Sequence, residues 1–283
     1  LGLEIFHRSP GGKHYLASIF LPISLCDELF FRPANEDGVT TVNLLEGPAR
    51  QNFAAVSEVE SIEKNLVYRA LLATRPYRRE CFQIELRKVI PTGGGLGGGS
   101  SDAGCVLRFL QPYLSCSPAQ LIELALRLGS DVPFFLQPEG ALIHGLGERR
   151  TPVAVGPGLG MLCLPDIHMD TAEAFLRLKR PLQPAPPPES LQSLTESVRQ
   201  ALRKSDWARV HGLRNDFEPI VFELHPRLAL VKDRMVQAGA AFASLSGSGS
   251  ALYGLFAAGF DVEALCQVFR AQFPTFRFIK FNF

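Results

Sequence analysis

PTGGGLGGGSSDAG (residues 91–104) is the stretch on which the fold reading turns. Six of the seven residues from Gly93 to Gly99 are glycine. Glycine loses more backbone entropy on ordering than any other residue and weakens the interior of helices and strands. A run this dense therefore suggests that the backbone itself must approach a ligand closely. Upstream, CFQIELRKVI (81–90) alternates, placing Phe82, Ile84 and Leu86 on one face of a strand. Downstream, Val106, Phe109, Leu110 and Tyr113 recur at helical spacing. A strand, a glycine loop and a helix N-terminus in succession make a cradle of free N–H groups suited to phosphate. Ser100 and Ser101 add hydroxyls able to bond a phosphate oxygen or a magnesium ion. A flexible Gly/Ser linker is the plain alternative. The strand leading straight in and the amphipathic helix leading straight out argue against it.

Two common phosphate loops fail on the residues. G-x-x-x-x-G-K-[ST] requires a lysine where Ser100 follows Gly99. Gly93, Gly95 and Gly98 match G-x-G-x-x-G, as any glycine run does, but no acid stands about twenty positions on: Asp102 is too early and Glu123 late.

Outward from the loop, the 283 residues argue for two modest domains or one large one, at roughly 150 residues per domain. Hydrophobic residues at 46% supply a core, and a formal net charge of +1 provides no general field for nucleic acid or an anionic membrane. Any anion must be bound by local geometry. The six cysteines are scattered without a C-x-x-C pair, so free thiols in a reducing compartment are expected. Residues 235–260 carry no charge, but SGSGS (246–250) interrupts them, which predicts two buried strands or a strand and a helix rather than a membrane span. The opening LGLEIF has no basic segment or apolar signal core, and the chain reads as cytoplasmic.

Strands are expected at 1–6, 17–25, 28–33 and 39–45, then a helix from Ser61 with Glu63 in its first turn. Ser117, Pro118 and Gln120 announce a capped helix, with Gly129 as its left-handed stop. Residues 151–165 read as a linker running into a buried strand, and 181–190 as a proline-rich loop. Helices are expected at 190–203, 226–238 and 261–272, and the domain boundary near residue 155.

The motif P-x-G-G-G-L-G-G-G-S-S-[DN]-A strongly resembles the second motif of the GHMP kinases, small-molecule kinases whose loop wraps the phosphates of ATP. The likeness continues in order through GGKHYL (11–16), NLVYRA (65–70), GSDVPFF (129–135), DTAEAF (170–175), NDFEP (215–219) and SLSGSGSALYGLF (244–256). The extended loop is similar to the branch that phosphorylates a cytidine-diphosphate-linked methylerythritol in non-mevalonate isoprenoid synthesis. The resemblance implies an α+β, two-domain fold: an S5-like ATP-binding domain over 1–155 and a ferredoxin-like substrate-side domain over 156–283.

It also implies roles for particular residues. Asp131 would be the catalytic base. Asn65, Pro91, Gly93, Gly94, Gly95, Leu96, Gly97, Gly98, Gly99, Ser100 and Ser101 would bind ATP, with Mg2+ on Ser100 or Ser101. Lys88, by its place just before the loop, is expected either to neutralise phosphate charge at the ATP site or to be a solvated surface lysine. Lys13, His14, Asp131, Thr171, Phe175, Gly247, Ser248 and Gly249 would bind substrate, His14 at the cytosine edge and Phe175 on its ring. Lys13 replaces the family's usual tyrosine, with Tyr15 as a nearby substitute. The family's P-A-K-L-N segment is expected upstream of Leu1. A small-molecule substrate, no nucleic acid or membrane partner, and a monomer or weak homodimer complete the expectation. The rivals are a GHMP kinase of another small alcohol, a non-catalytic nucleotide-binding protein of the same fold and, more distantly, a nicotinamide oxidoreductase.

Overall fold

Alternation decides the first sheet. In β5 (Cys81–Lys88), Phe82, Ile84 and Leu86 are buried on one face, as the period-two pattern requires. β5 pairs antiparallel with β3 (Glu28–Ala34) and parallel with β4 (Gly38–Asn43), giving the three-stranded order β3-β5-β4. Three helices share their core with this sheet: α1 (Leu66–Thr74), α2 (Gly98–Leu110) and α3 (Pro118–Leu128). Leu71, Leu107 and Leu110 are completely buried there. The α3 cap is as predicted: Ser117 Oγ accepts from Gln120 N, and the Gln120 side chain accepts from Ser117 N.

These elements form one of two compact units in the computed structural model, which describes residues 1–43, 62–167, 169–183, 195–210 and 212–283. This unit comprises Leu25–Thr92 and Gly97–Pro138; the other comprises Leu1–Ser24, Gly93–Leu96 and Glu139–Phe283. The units interleave along the sequence rather than meeting at one point, and residue 155 lies inside the second of them. The reason is strand pairing at long range. β2 (His14–Phe20) pairs with β1 (Leu3–Arg8) on one side and β6 (Ala141–Gly145) on the other, and β7 (Arg149–Pro152) completes the order β1-β2-β6-β7.

The same unit contains a second antiparallel sheet. β8 (Leu159–Pro165), β9 (Phe242–Leu245), β10 (Leu252–Phe256) and β11 (Phe276–Asn282) are ordered β11-β8-β10-β9. Helices α4 (Thr171–Arg177), α5 (Glu196–Arg203), α6 (Glu218–Leu224) and α7 (Pro226–Gln237) precede β9, and α8 (Val262–Gln272) precedes β11. Strand, helix, two strands, helix and strand in this order make a ferredoxin-like arrangement. The uncharged run thus contains two buried strands joined by SGSGS. Among the described residues no helix is long and apolar enough to cross a membrane. All six cysteines are free, with Cys163 and Cys266 buried and Cys26 exposed.

Several boundaries differ from the sequence expectation. β2 stops at Phe20, because Pro22 has no N–H for the ladder. α1 starts at Leu66, not near Ser61, so Glu63 lies outside it; Asn65 is its cap. Gly129 ends α3 at φ 175, extended rather than left-handed. The strand expected over 39–45 is present to Asn43. Its last two residues, Ser61, most of the 181–190 loop and the first turn of the helix expected over 190–203 lie outside the described residues.

Candidate active site

The glycine loop passes from one unit to the other between Leu96 and Gly97. On the α2 side, Gly97 is the N-cap at φ 67, a left-handed conformation that favours glycine. Ser101 N donates to Gly97 O at 2.8 Å, the first bond of the helix. The N–H groups of Gly98, Gly99 and Ser100 precede that bond and have no acceptor within the helix, so they add to the positive end of its dipole. Gly98 must lack a side chain: a Cβ there would come within 2.8 Å of Ile90 Cγ2. Ser101 Oγ donates back to Gly98 O at 2.7 Å.

Asp131 is brought to this helix by another glycine. Gly104 in α2 faces Phe135, where a Cβ would lie closer than 3.0 Å, so the turn Val132–Leu136 can lie against the helix. A Cβ on Gly129 would be 3.9 Å from Ser100 Oγ, which places the Gly129–Asp131 loop beside the start of α2. Asp131 is the N-terminal residue of the 3-10 turn, and Ser130 Oγ donates to its Oδ1 at 3.2 Å. Burial pushes the Asp131 carboxyl above its ordinary value, and the Ser130 hydrogen bond opposes this.

Lys88 is not the solvated or phosphate-facing cation expected from the sequence. It is buried, and its Nζ donates to Asp27 Oδ2 and, at 2.7 Å, to Asp102 Oδ2. Its charge is already matched by two carboxylates. Burial pushes the Asp102 carboxyl up to about 7 against the pull of Lys88, and Asp27 beside it pushes the same way. Asn65 is engaged too: Oδ1 accepts from Val67 N at 2.9 Å and Nδ2 donates to Thr41 Oγ1 at 3.3 Å.

The other part of the loop packs on the SGSGS turn. Ser246 Oγ donates to Gly95 O at 2.9 Å, and Ala251 N donates to Gly94 O at 3.1 Å. Gly95 at φ 74 and Gly247 at φ 56 face each other; a Cβ on Gly247 would be 3.0 Å from Gly95 O. Two residues of NDFEP hold this turn, a role the motif alone did not reveal. Asn215 Nδ2 donates to Leu245 O (2.9 Å) and Gly247 O (2.8 Å), while Glu218 Oε1 accepts from Leu245 N at 2.9 Å. Ser248 and Thr171 share a hydroxyl hydrogen bond of 2.8 Å, and Gly249 N closes the turn onto Ser246 O at 2.9 Å.

His14 and Phe175 lie together, their rings stacked with centroids 4.8 Å apart, and Phe217 approaches Phe175 edge-on at 4.9 Å. Burial, then Arg8 and Arg180, hold His14 below its ordinary pKa, which keeps the ring neutral and able to donate and accept. Lys13 is exposed, and its carbonyl closes a turn to Ser9 N at 2.7 Å. Tyr15 does not substitute at this site. Neighbouring strand residues face opposite sides, and its ring pairs with His7 at 5.2 Å.

The geometry is that of a glycine loop and a free helix N-terminus beside a partly buried carboxylate. Residues 65–138 match the family model for the GHMP kinases N terminal domain, and residues 198–275 that for GHMP kinases C terminal. A 4-diphosphocytidyl-2-C-methyl-D-erythritol kinase from Leptospira interrogans serogroup Icterohaemorrhagiae serovar copenhageni is 37% identical, covering 100% of this chain and 97% of that protein. The chain belongs to the GHMP kinase family. Another protein of that name, from Solibacter usitatus, is 41% identical over 90% of this chain and 78% of its own length. A crystal structure of 4-(cytidine 5'-diphospho)-2C-methyl-D-erythritol kinase aligns with a TM-score of 0.72 at 33% identity, covering 99% of this chain and 94% of that one. As a GHMP kinase, the chain is an α+β small-molecule kinase.

Proposed function

We propose that this chain transfers the γ-phosphoryl group of ATP to a hydroxyl of 4-diphosphocytidyl-2-C-methyl-D-erythritol. Full-length likeness to kinases of that name supports the substrate. The observation that carries the chemistry is the placement of Asp131 beside the free N-terminus of α2. The amides of Gly98, Gly99 and Ser100 hold phosphate oxygens, and the helix dipole offsets their charge. Asp131 accepts the acceptor hydroxyl's proton, which needs that oxygen within about 3 Å of the carboxylate. Positioning and charge neutralisation supply the rest of the catalysis.

Mg2+ fits the residues as an ion carried largely by phosphate. No group of three or more His, Cys, Asp or Glu that could hold a metal occurs among the described residues, and Mg2+ commonly binds through one or two protein groups plus phosphates and water. Ser100 is the better protein donor, since the Ser101 hydroxyl is bonded to Gly98 O. Bound Mg2+ would neutralise charge on the phosphates.

Asn65 caps α1 through its oxygen and supports adenine through the remaining N–H of its amide. For the acceptor, His14 addresses the pyrimidine edge and Phe175 its face, which requires the two rings to part. Phe175→Ala is expected to raise the acceptor KM about tenfold or more with kcat little changed, since base–aromatic stacking contributes about 1–3 kcal/mol. Steady-state kinetics with the acceptor varied checks this, and an unchanged KM removes Phe175 from the site.

A coupled ADP-release assay with this acceptor, mevalonate and homoserine tests the function itself. Turnover on the cytidine compound alone supports the proposal, and preference for another alcohol overturns it. Acidity offers a second check. Asp131 works ionised, so kcat/KM falls as pH drops through its raised pKa. Removing the opposing hydrogen bond in Ser130→Ala moves that acid limb to higher pH; a shift to lower pH contradicts the assignment.

A further inference from the structure

Asp27 lies in none of the motifs read from the sequence, yet its carboxylate joins three parts of the nucleotide machinery. Its side chain is 1% exposed. Oδ1 accepts from the backbone N–H groups of Val89 at 2.5 Å and Ile90 at 2.9 Å, the last two residues before Pro91. β5 ends at Lys88, so Asp27 takes the part of the ladder partner these part-buried amides would otherwise need. Oδ2 accepts from Lys88 Nζ, which also donates to Asp102, one turn into α2. Ile90 in turn abuts Gly98, with space for no Cβ between them. The strand end, the loop entry and the helix start are therefore referred to one carboxylate.

We propose that Asp27 is a positioning residue for the phosphate loop: through Val89, Ile90 and Lys88 it sets where the chain enters Pro91–Gly97 and where the α2 N-terminus points. The inference rests on reading the glycine loop as the ATP site. Asp27 acts through backbone amides and Lys88 rather than by touching nucleotide or acceptor. A purely structural role would lower stability alone. A positioning role also weakens the use of MgATP while sparing the acceptor.

The test compares the full chain with Asp27→Ala and Asp27→Asn by kcat, KM for MgATP, KM for the acceptor and melting temperature. Alanine strands both amides, and MgATP KM is expected to rise about tenfold or more, since a misplacement of about 1 Å can cost about 100-fold in rate. The acceptor KM stays within about threefold on the same scale. Asparagine keeps an oxygen for both amides but loses the ion pair. It should recover most of the MgATP affinity while melting low, as alanine does. An Asp27→Ala chain with unchanged MgATP KM, or an asparagine variant that rescues nothing, overturns the inference. Should the alanine variant fail to fold, Asp27→Ser, whose hydroxyl is too short to span both amides and Lys88, is read the same way. Failure of the unaltered chain to bind MgATP would sink the parent reading and this inference together; normal binding with an indifferent Asp27 sinks this inference alone.

Discussion

Asp131→Ala is expected to lower turnover by about 100- to 10,000-fold, the range over which a positioned general base contributes. Little else should change. The Asp131 side chain accepts from its neighbour Ser130, so its loss leaves the turn Val132–Leu136 held by Pro133 and by the packing of Phe134. Removing a carboxyl held above its ordinary value by burial also relieves desolvation, so the melting temperature should hold or rise. MgATP affinity should stay within about threefold, because the amides of Gly98 to Ser100 do not depend on this side chain. Asp131→Asn separates shape from charge: it preserves the outline and is expected to lose nearly as much rate. Single-turnover phosphotransfer read beside nucleotide titration makes the distinction. Wild-type turnover in either variant would remove Asp131 from the mechanism. Equal losses in affinity and rate would make it a binding residue.

What could be read in the sequence was what is local in the chain. The Ser117–Gln120 cap, the alternation of β5 and the two strands flanking SGSGS are each decided within a few residues, and all are present. The glycine loop was legible for the same reason. What escaped reading depends on partners distant in sequence. Lys88 looked like a solvated or phosphate-facing cation because Asp27 lies 61 residues away, and nothing nearby shows that the two meet. The interleaving of the two compact units is non-local in the same way, since β2 pairs with β6 across more than a hundred residues. Gly129 was read as a left-handed stop, but the chain leaves α3 extended and enters a new turn at Asp131. Tyr15 could have been excluded from sequence alone. Once His14 is placed on one strand face, its neighbour must take the other.

Gly95→Ala carries the second large expected effect, and its cause can be separated into two parts. Gly95 sits at φ 74, where any L side chain is strained, and a Cβ there would lie closer than 3.0 Å to the backbone oxygen of Ser246. Main-chain strain of this kind costs about 1–3 kcal/mol. Overpacking against a backbone that cannot rotate away adds about 1–3 kcal/mol more. Gly259 isolates the first part, because at φ 84 it has nothing within 4 Å of a built Cβ. Gly259→Ala should therefore lower stability by the strain alone, and Gly95→Ala by roughly twice as much. Activity distinguishes them further. Relief of the clash must push Gly95 away from Ser246, breaking the Ser246 Oγ bond to Gly95 O and straining the Ala251 bond to Gly94 O. The loop then presents its amides about 1 Å out of place, a displacement able to cost about 100-fold. Gly259→Ala has no such route to the loop. Equilibrium unfolding of both variants, with MgATP KM measured where each is folded, tests the pair. If Gly95→Ala binds MgATP as the unaltered chain does, the contact between the glycine loop and the SGSGS turn has no part in holding nucleotide.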